Sequence, residues 1–194
     1  TVEQLDIFYI ARKLEFFCTL LAQKNMIASE ITISFWEEIA DLTAKKPYLA
    51  SVPIIAFYKN LLNLLHFPEK TEYFDETLNL LRQYPNLFNP VELRNIYTIV
   101  RSYCISKINT GNKIFEQKLW ELYDNQIHSD AILNEEKEIA PATFKNIIVL
   151  GIRLHKIVET EKIIQNYQIH LAANLRQDVV NYCYAKIYFY KKDY

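Results

Sequence analysis

The sequence predicts an all-α fold of paired helices, and three observations carry that prediction. Apolar residues recur at helical spacing along nearly the whole chain. Only 2 of 194 residues are Gly, against a usual share of about 7%. That scarcity excludes glycine-rich phosphate loops and hairpin-rich β architectures, whose tight turns need Asn-Gly or Asp-Gly. Six Pro residues fall between the periodic stretches, where helices start and stop. The length allows one or at most two domains with a substantial core. A single helical domain over 1–194 is the simpler expectation.

The elements follow in order. Ile7, Ala11, Leu14, Cys18 and Leu21 repeat at helical spacing, and Ile10, Phe17 and Leu20 widen the stripe enough to predict burial on two sides. Asn25 and Ser29-Glu30 punctuate. Ser29 caps a helix expected over 30–44, which Lys45-Lys46-Pro47 closes with cations suited to a helix C-terminus. Ser51-Val52-Pro53 opens the next, with Pro in the first turn where its missing N–H is harmless. It runs to His66, and Pro68 starts another that ends near Pro85. Asn89-Pro90-Val91-Glu92 is the strongest local signal: Asn89 caps, Pro90 takes the first helical position and Glu92 reaches back. That helix runs to Asn109 and breaks at Thr110-Gly111-Asn112, and a partner continues to about His128. Over 129–140 the periodicity is lost, and Asp130, Glu135, Glu136 and Glu138 stand against one Lys137. This predicts an irregular acidic loop near the upper length of ordinary connections. After Pro141, helices are expected over 142–156, 158–172 and 175–191, making about nine helices in antiparallel pairs.

Charge and cysteine usage narrow the class. Lys+Arg total 22 and Asp+Glu 23, for a net charge of -1, and no basic run exceeds two residues. Direct nucleic-acid binding, which draws its affinity from phosphate neutralisation, is therefore not expected. Cys18, Cys104 and Cys183 are far apart, odd in number and without a CxxC. Buried reduced thiols in a cytoplasmic protein are the expectation, with one disulfide among them as the alternative. The longest apolar runs, such as Val52 to Tyr58, fall far short of the ~20 residues that span a bilayer. The start Thr1-Val2-Glu3-Gln4-Leu5-Asp6 lacks the basic beginning of a signal peptide and lacks Met, so a segment of a longer chain is expected.

The last helices align on themselves. Gly151 and Ala185, each the small residue of its helix, stand 34 residues apart, and the same shift carries Leu150 onto Tyr184 and Leu154 onto Tyr188. It also sets Ile147 against Asn181, a mismatch. Cys104 and Gly111, seven apart, occupy comparable places as small residue and turn. The segment Tyr182 to Tyr194 resembles a tetratricopeptide first helix running into its turn, with Ala185 at the small position and Tyr188 at the aromatic one. Tyr167 falls where that family's second helix packs an aromatic against the small residue. The resemblance covers residues 89–194, and 50–88 more weakly. It implies a TPR-like superhelix of stacked helix pairs and a final helix with one partner missing. The family's usual Trp and closing Pro are mostly absent, so a standard peptide groove is not implied.

Catalytic constellations are absent from the sequence: no HExxH, P-loop or GxSxG occurs. Ser102 and Ser106 have no His at a helical neighbour position. His66, His128, His155 and His170 read as helix-end residues that meet terminal carbonyls. His155 and Glu159 have ligand spacing, but a helix boundary near Val158 separates them. A non-enzymatic protein without cofactor or metal is therefore expected. The family's groove-facing first-helix positions map onto Lys145, His155, Lys156, Tyr182, Lys186 and Tyr190, with Arg101 the analogous basic residue in the preceding helix. Such a basic and aromatic face implies a protein or peptide partner bearing carboxylates. The alternative implied by the resemblance is a peptide-sensing regulatory domain of a bacterial transcription factor, its DNA-binding part lying outside this segment.

Overall fold

The computed structural model describes residues 1–27, 41 and 45–192. The helix expected over 30–44 lies outside them apart from Asp41. The described residues contain no strand, and the all-helical expectation holds. The helices are α1 (Val2–Ile27), α2 (Pro47–Ala50), α3 (Pro53–His66), α4 (Glu72–Gln83), α5 (Pro90–Asn109), α6 (Ile114–His128), α7 (Pro141–Arg153), α8 (Ile157–Tyr167) and α9 (Ala173–Lys191). A 3-10 turn, Gln168–His170, joins the last two. The chain divides into two compact units, Thr1–Glu92 and Leu93–Tyr194.

In the first unit α1 buries Ile10, Ala11, Leu14, Cys18 and Leu21, and it packs on α3. Of the residues that widen its stripe, Ile10 is buried and Phe17 and Leu20 are half-buried, while Leu5, Phe8, Tyr9 and Phe16, outside the stripe, are exposed. α3 supplies the centre of this core with Ile55, Phe57, Leu61 and Leu64. Its one buried amide, Asn60, donates to the Tyr73 carbonyl (2.9 Å) and the Thr77 hydroxyl (2.8 Å), which ties α3 to α4. α4 starts at Glu72 rather than Pro68, because Phe67 to Lys70 closes a separate turn, Lys70 N–H donating to Phe67 O at 3.0 Å.

The capping signal at Asn89 is realised in full. Glu92 N–H donates to Asn89 Oδ1 (2.9 Å), and Asn89 N–H donates to Glu92 Oε2 (3.1 Å). The other oxygen of Glu92 accepts from Arg12 of α1 at 2.5 Å. One buried carboxylate therefore both caps a helix and anchors another.

In the second unit neighbouring helices alternate in direction, while next-but-one helices run the same way. Glu116 at the start of α6 pairs with Arg153 at the end of α7. Glu161 near the start of α8 pairs with Lys191 at the end of α9 (2.7 Å). By contrast, Lys145 and His155 meet Tyr182 and Tyr190 in the same order along α7 and α9. Trp120 and Ile127 likewise meet Lys156 and Tyr167 in order.

Left-handed residues close the helices. Gly111 (φ 91°) follows α5, its N–H donating to Ile108 O while Asn112 N–H donates to Lys107 O. His155 (φ 59°) stands in the same place after α7, its N–H donating to Ile152 O while Lys156 N–H donates to Gly151 O. Both are Schellman closures, which place one residue in the left-handed region to satisfy the last carbonyls. This is why α7 stops at Arg153, short of the expected 156.

The 129–140 segment is irregular, as expected, yet it is more than a solvated acidic loop. Ile132, Leu133 and Ile139 are buried, while Glu135 and Glu136 stay exposed. Ile139 N–H donates to His170 O (2.8 Å), and His170 Nδ1–H donates to Lys137 O (2.9 Å). Asn134 accepts from Glu138 N–H through its side chain and donates to Glu138 O through its own N–H, both at 2.8 Å.

Candidate functional site

The seven candidate residues separate into three groups and one outlier. The first group is built by α7 and α9 lying side by side. Tyr182 projects from α9 with 40% of its surface exposed. Lys145 of α7 holds its ammonium 5.0 Å from the ring centroid, and Lys186, one turn along α9, holds its own 5.5 Å away. Two cations thus share one ring face system, an attraction to the aromatic quadrupole worth about 0.5–1 kcal/mol each at exposed sites. Among the described residues no carboxylate pairs with Lys145 or Lys186. The cluster therefore presents two unneutralised charges around an aromatic plane.

The second group lies beyond it on the same two elements. His155 is lifted out of the helix by its left-handed backbone, and its Nδ1 hydrogen-bonds the Tyr190 hydroxyl. The rings lie 5.8 Å apart and tilted. His155 and Glu159 fall on different elements, so their i, i+4 spacing does not bring them onto one helix face. Among the described residues no group of three His, Cys, Asp or Glu is placed to hold a metal.

Lys156 is the outlier. Its ammonium reaches away to the ring of Trp120 on α6 (5.7 Å), and its carbonyl accepts from the Thr160 N–H and hydroxyl. Tyr167, expected against the small residue, instead donates from its hydroxyl to Ile127 O at 3.2 Å. The side chains nearest to Gly151 are those of Thr160 and Trp120. Ala185, its counterpart 34 residues on, is exposed together with Tyr188.

Arg101 forms the third group alone. Its guanidinium is half-buried, lies 5.8 Å from the Tyr123 ring centroid, and donates to Gln126 Oε1 (3.3 Å) and Thr98 Oγ1 (3.1 Å). Burial holds its pKa below the ordinary guanidinium value. Thr98 was legible as a neighbour, three residues before Arg101 on one helix. Gln126 was not, because nothing in the sequence registers α5 against α6.

The three cysteines are buried and free, so the disulfide alternative does not hold. Burial raises each thiol, Cys104 to about 12 and Cys183 to about 11. No helix among the described residues is long and apolar enough to cross a membrane. Compared with known proteins, the chain matches no family model, no curated protein and no solved structure.

Proposed function

We propose that this chain is a non-enzymatic binding module, a TPR-like helical-repeat scaffold that docks an acidic peptide segment across Lys145, Tyr182 and Lys186, with His155 and Tyr190 extending the surface. The observation that carries the reading is the pair of lysines on one exposed tyrosine ring, with no carboxylate of the described residues beside them. Two fixed cations and an exposed ring suit a peptide that brings carboxylates and an apolar side chain together. The same-direction pairing of next-but-one helices supports the repeat architecture, because stacked helix pairs produce it.

The test is fluorescence anisotropy with a labelled Glu-rich dodecapeptide and its Gln-substituted control. The reading expects binding of the Glu peptide alone, weakened by salt and lost in Lys145→Glu/Lys186→Glu. Equal binding of both peptides, or an unchanged affinity in that double variant, would refute it.

A further inference from the structure

Arg101 is hard to account for as a structural residue. A guanidinium has five N–H donors, and here two are used, both on neutral acceptors. Withdrawing a charge even partly from water without an opposite charge is costly, and the other arginine nearby shows the usual remedy. Arg94, on the same helix, pairs with Glu135 at 3.1 Å. Arg101 has no such partner among the described residues. It is instead braced: Gln126, itself 1% exposed, and Thr98 hold its ends, while Tyr123 lies beside it.

What Arg101 borders is a cavity of about 430 Å³ between α5, α6, the 129–140 segment and the starts of α7 and α9. That volume is in the range of small-molecule sites. Its walls are of two kinds. Arg101, Thr98, Gln126 and Asn134 supply the polar part, and Ile132, Ile139 and Leu175 supply an apolar part. α7 and α9 both begin there after an alanine, so no side chain caps their first N–H groups, which add positive potential at the wall. Glu138 also lines the cavity, which disfavours a second negative charge on any occupant.

We propose that this cavity binds a small organic monocarboxylate, its carboxylate on the Arg101 guanidinium and its apolar body against Ile132, Ile139 and Leu175. The fork of N–H donors matches a planar carboxylate in pairs. One unneutralised cation, with an acid at the rim, selects a single negative charge. The size of the cavity and its aliphatic wall require a body larger than the anion alone. The site is independent of the peptide surface, and it gives Arg101 a role apart from the lysines.

The experiment is a titration of the full chain, followed by amide chemical shifts, with acetate, butanoate, hexanoate and the neutral hexanamide. Hexanoate should bind more tightly than acetate, with shifts at Thr98, Gln126, Ile132 and Ile139, and hexanamide should not compete. Arg101→Met should weaken hexanoate about tenfold or more, the loss of a charged hydrogen-bond pair, without lowering the melting temperature. A merely structural arginine would lower it. Lys145→Glu/Lys186→Glu should leave hexanoate binding intact, so failure here and failure of the peptide reading are distinguishable. Equal binding of hexanamide, absence of shifts at the cavity, or an unchanged affinity in Arg101→Met overturns the proposal. If Arg101→Met does not fold, Arg101→Lys decides: it keeps the charge without the fork, and unchanged affinity for hexanoate would be equally fatal.

Discussion

Gly151 faces Thr160 so closely that a Cβ built on the glycine would lie 2.2 Å from the threonine hydroxyl and 2.7 Å from the Trp120 ring. The α7–α8 contact therefore depends on the missing side chain. Gly151→Ala gains helix propensity of about 1 kcal/mol but overpacks the contact, at about 1–3 kcal/mol. A net fall in stability is expected by urea unfolding. Thr160→Ala in the same chain should recover part of the loss, a coupling that marks touching residues. Simple additivity of the two changes would count against the contact.

The two Schellman closures make predictions of opposite sign. At Gly111 a Cβ meets nothing within 4 Å, so Gly111→Ala costs only backbone strain, about 1–2 kcal/mol. At His155 the strain is already present, and His155→Gly should relieve about 1 kcal/mol while losing the exposed Tyr190 hydrogen bond. Thermal unfolding of both variants checks the pair. A His155→Gly protein less stable than the parent would mean that the Tyr190 bond outweighs the strain.

Glu92 does two jobs with its two oxygens, and substitution separates them. Glu92→Gln keeps an acceptor for the Asn89 N–H, as a capping box allows, and loses only the charge opposite Arg12. Asn89→Ala removes the cap and should cost about 1 kcal/mol. The denaturation midpoint is expected to shift further for Asn89→Ala than for Glu92→Gln, with m unchanged.

The buried thiols should be silent at neutral pH. Iodoacetamide should label Cys18, Cys104 and Cys183 only in denaturant, because the thiolate is the reactive form. Their folded-state pKa values lie above the unfolded value of about 8.5. Each therefore contributes stability that is full below that pH. The contribution is lost as pH rises, through about 11 for Cys183 and about 12 for Cys104. Replacing Cys104 with Ala should flatten the alkaline slope of stability. Rapid labelling of the native chain would contradict the burial.

Local rules made part of this legible in advance. The capping box at Asn89 and the turn at Gly111 are written in neighbouring residues, and both stand as read. Helix existence followed from apolar spacing, and boundaries failed where the decisive residue was unremarkable. Nothing about His155 announces a left-handed closure, since glycine is the usual occupant. The same holds for the candidate residues. Lys145 and Tyr182 come together because α7 and α9 run alongside, and Lys156 departs because its N–H closes α7 on Gly151 O while its carbonyl opens α8. The Arg101 cavity is bordered by residues from four separate stretches of chain. No periodicity within one helix encodes that convergence.

The anchoring of the 129–140 segment has a consequence for chain cleavage. Its exposed tip, Glu135 and Glu136, is open to a glutamyl endopeptidase. Both flanks are fastened, one by buried Ile132 and Leu133, the other by the bonds that join Lys137 and Ile139 to His170. A protein nicked at the tip should therefore elute as one particle and separate into two pieces only in denaturant. The acidic tip is then a natural place to insert a reporter without dismantling the helices on either side.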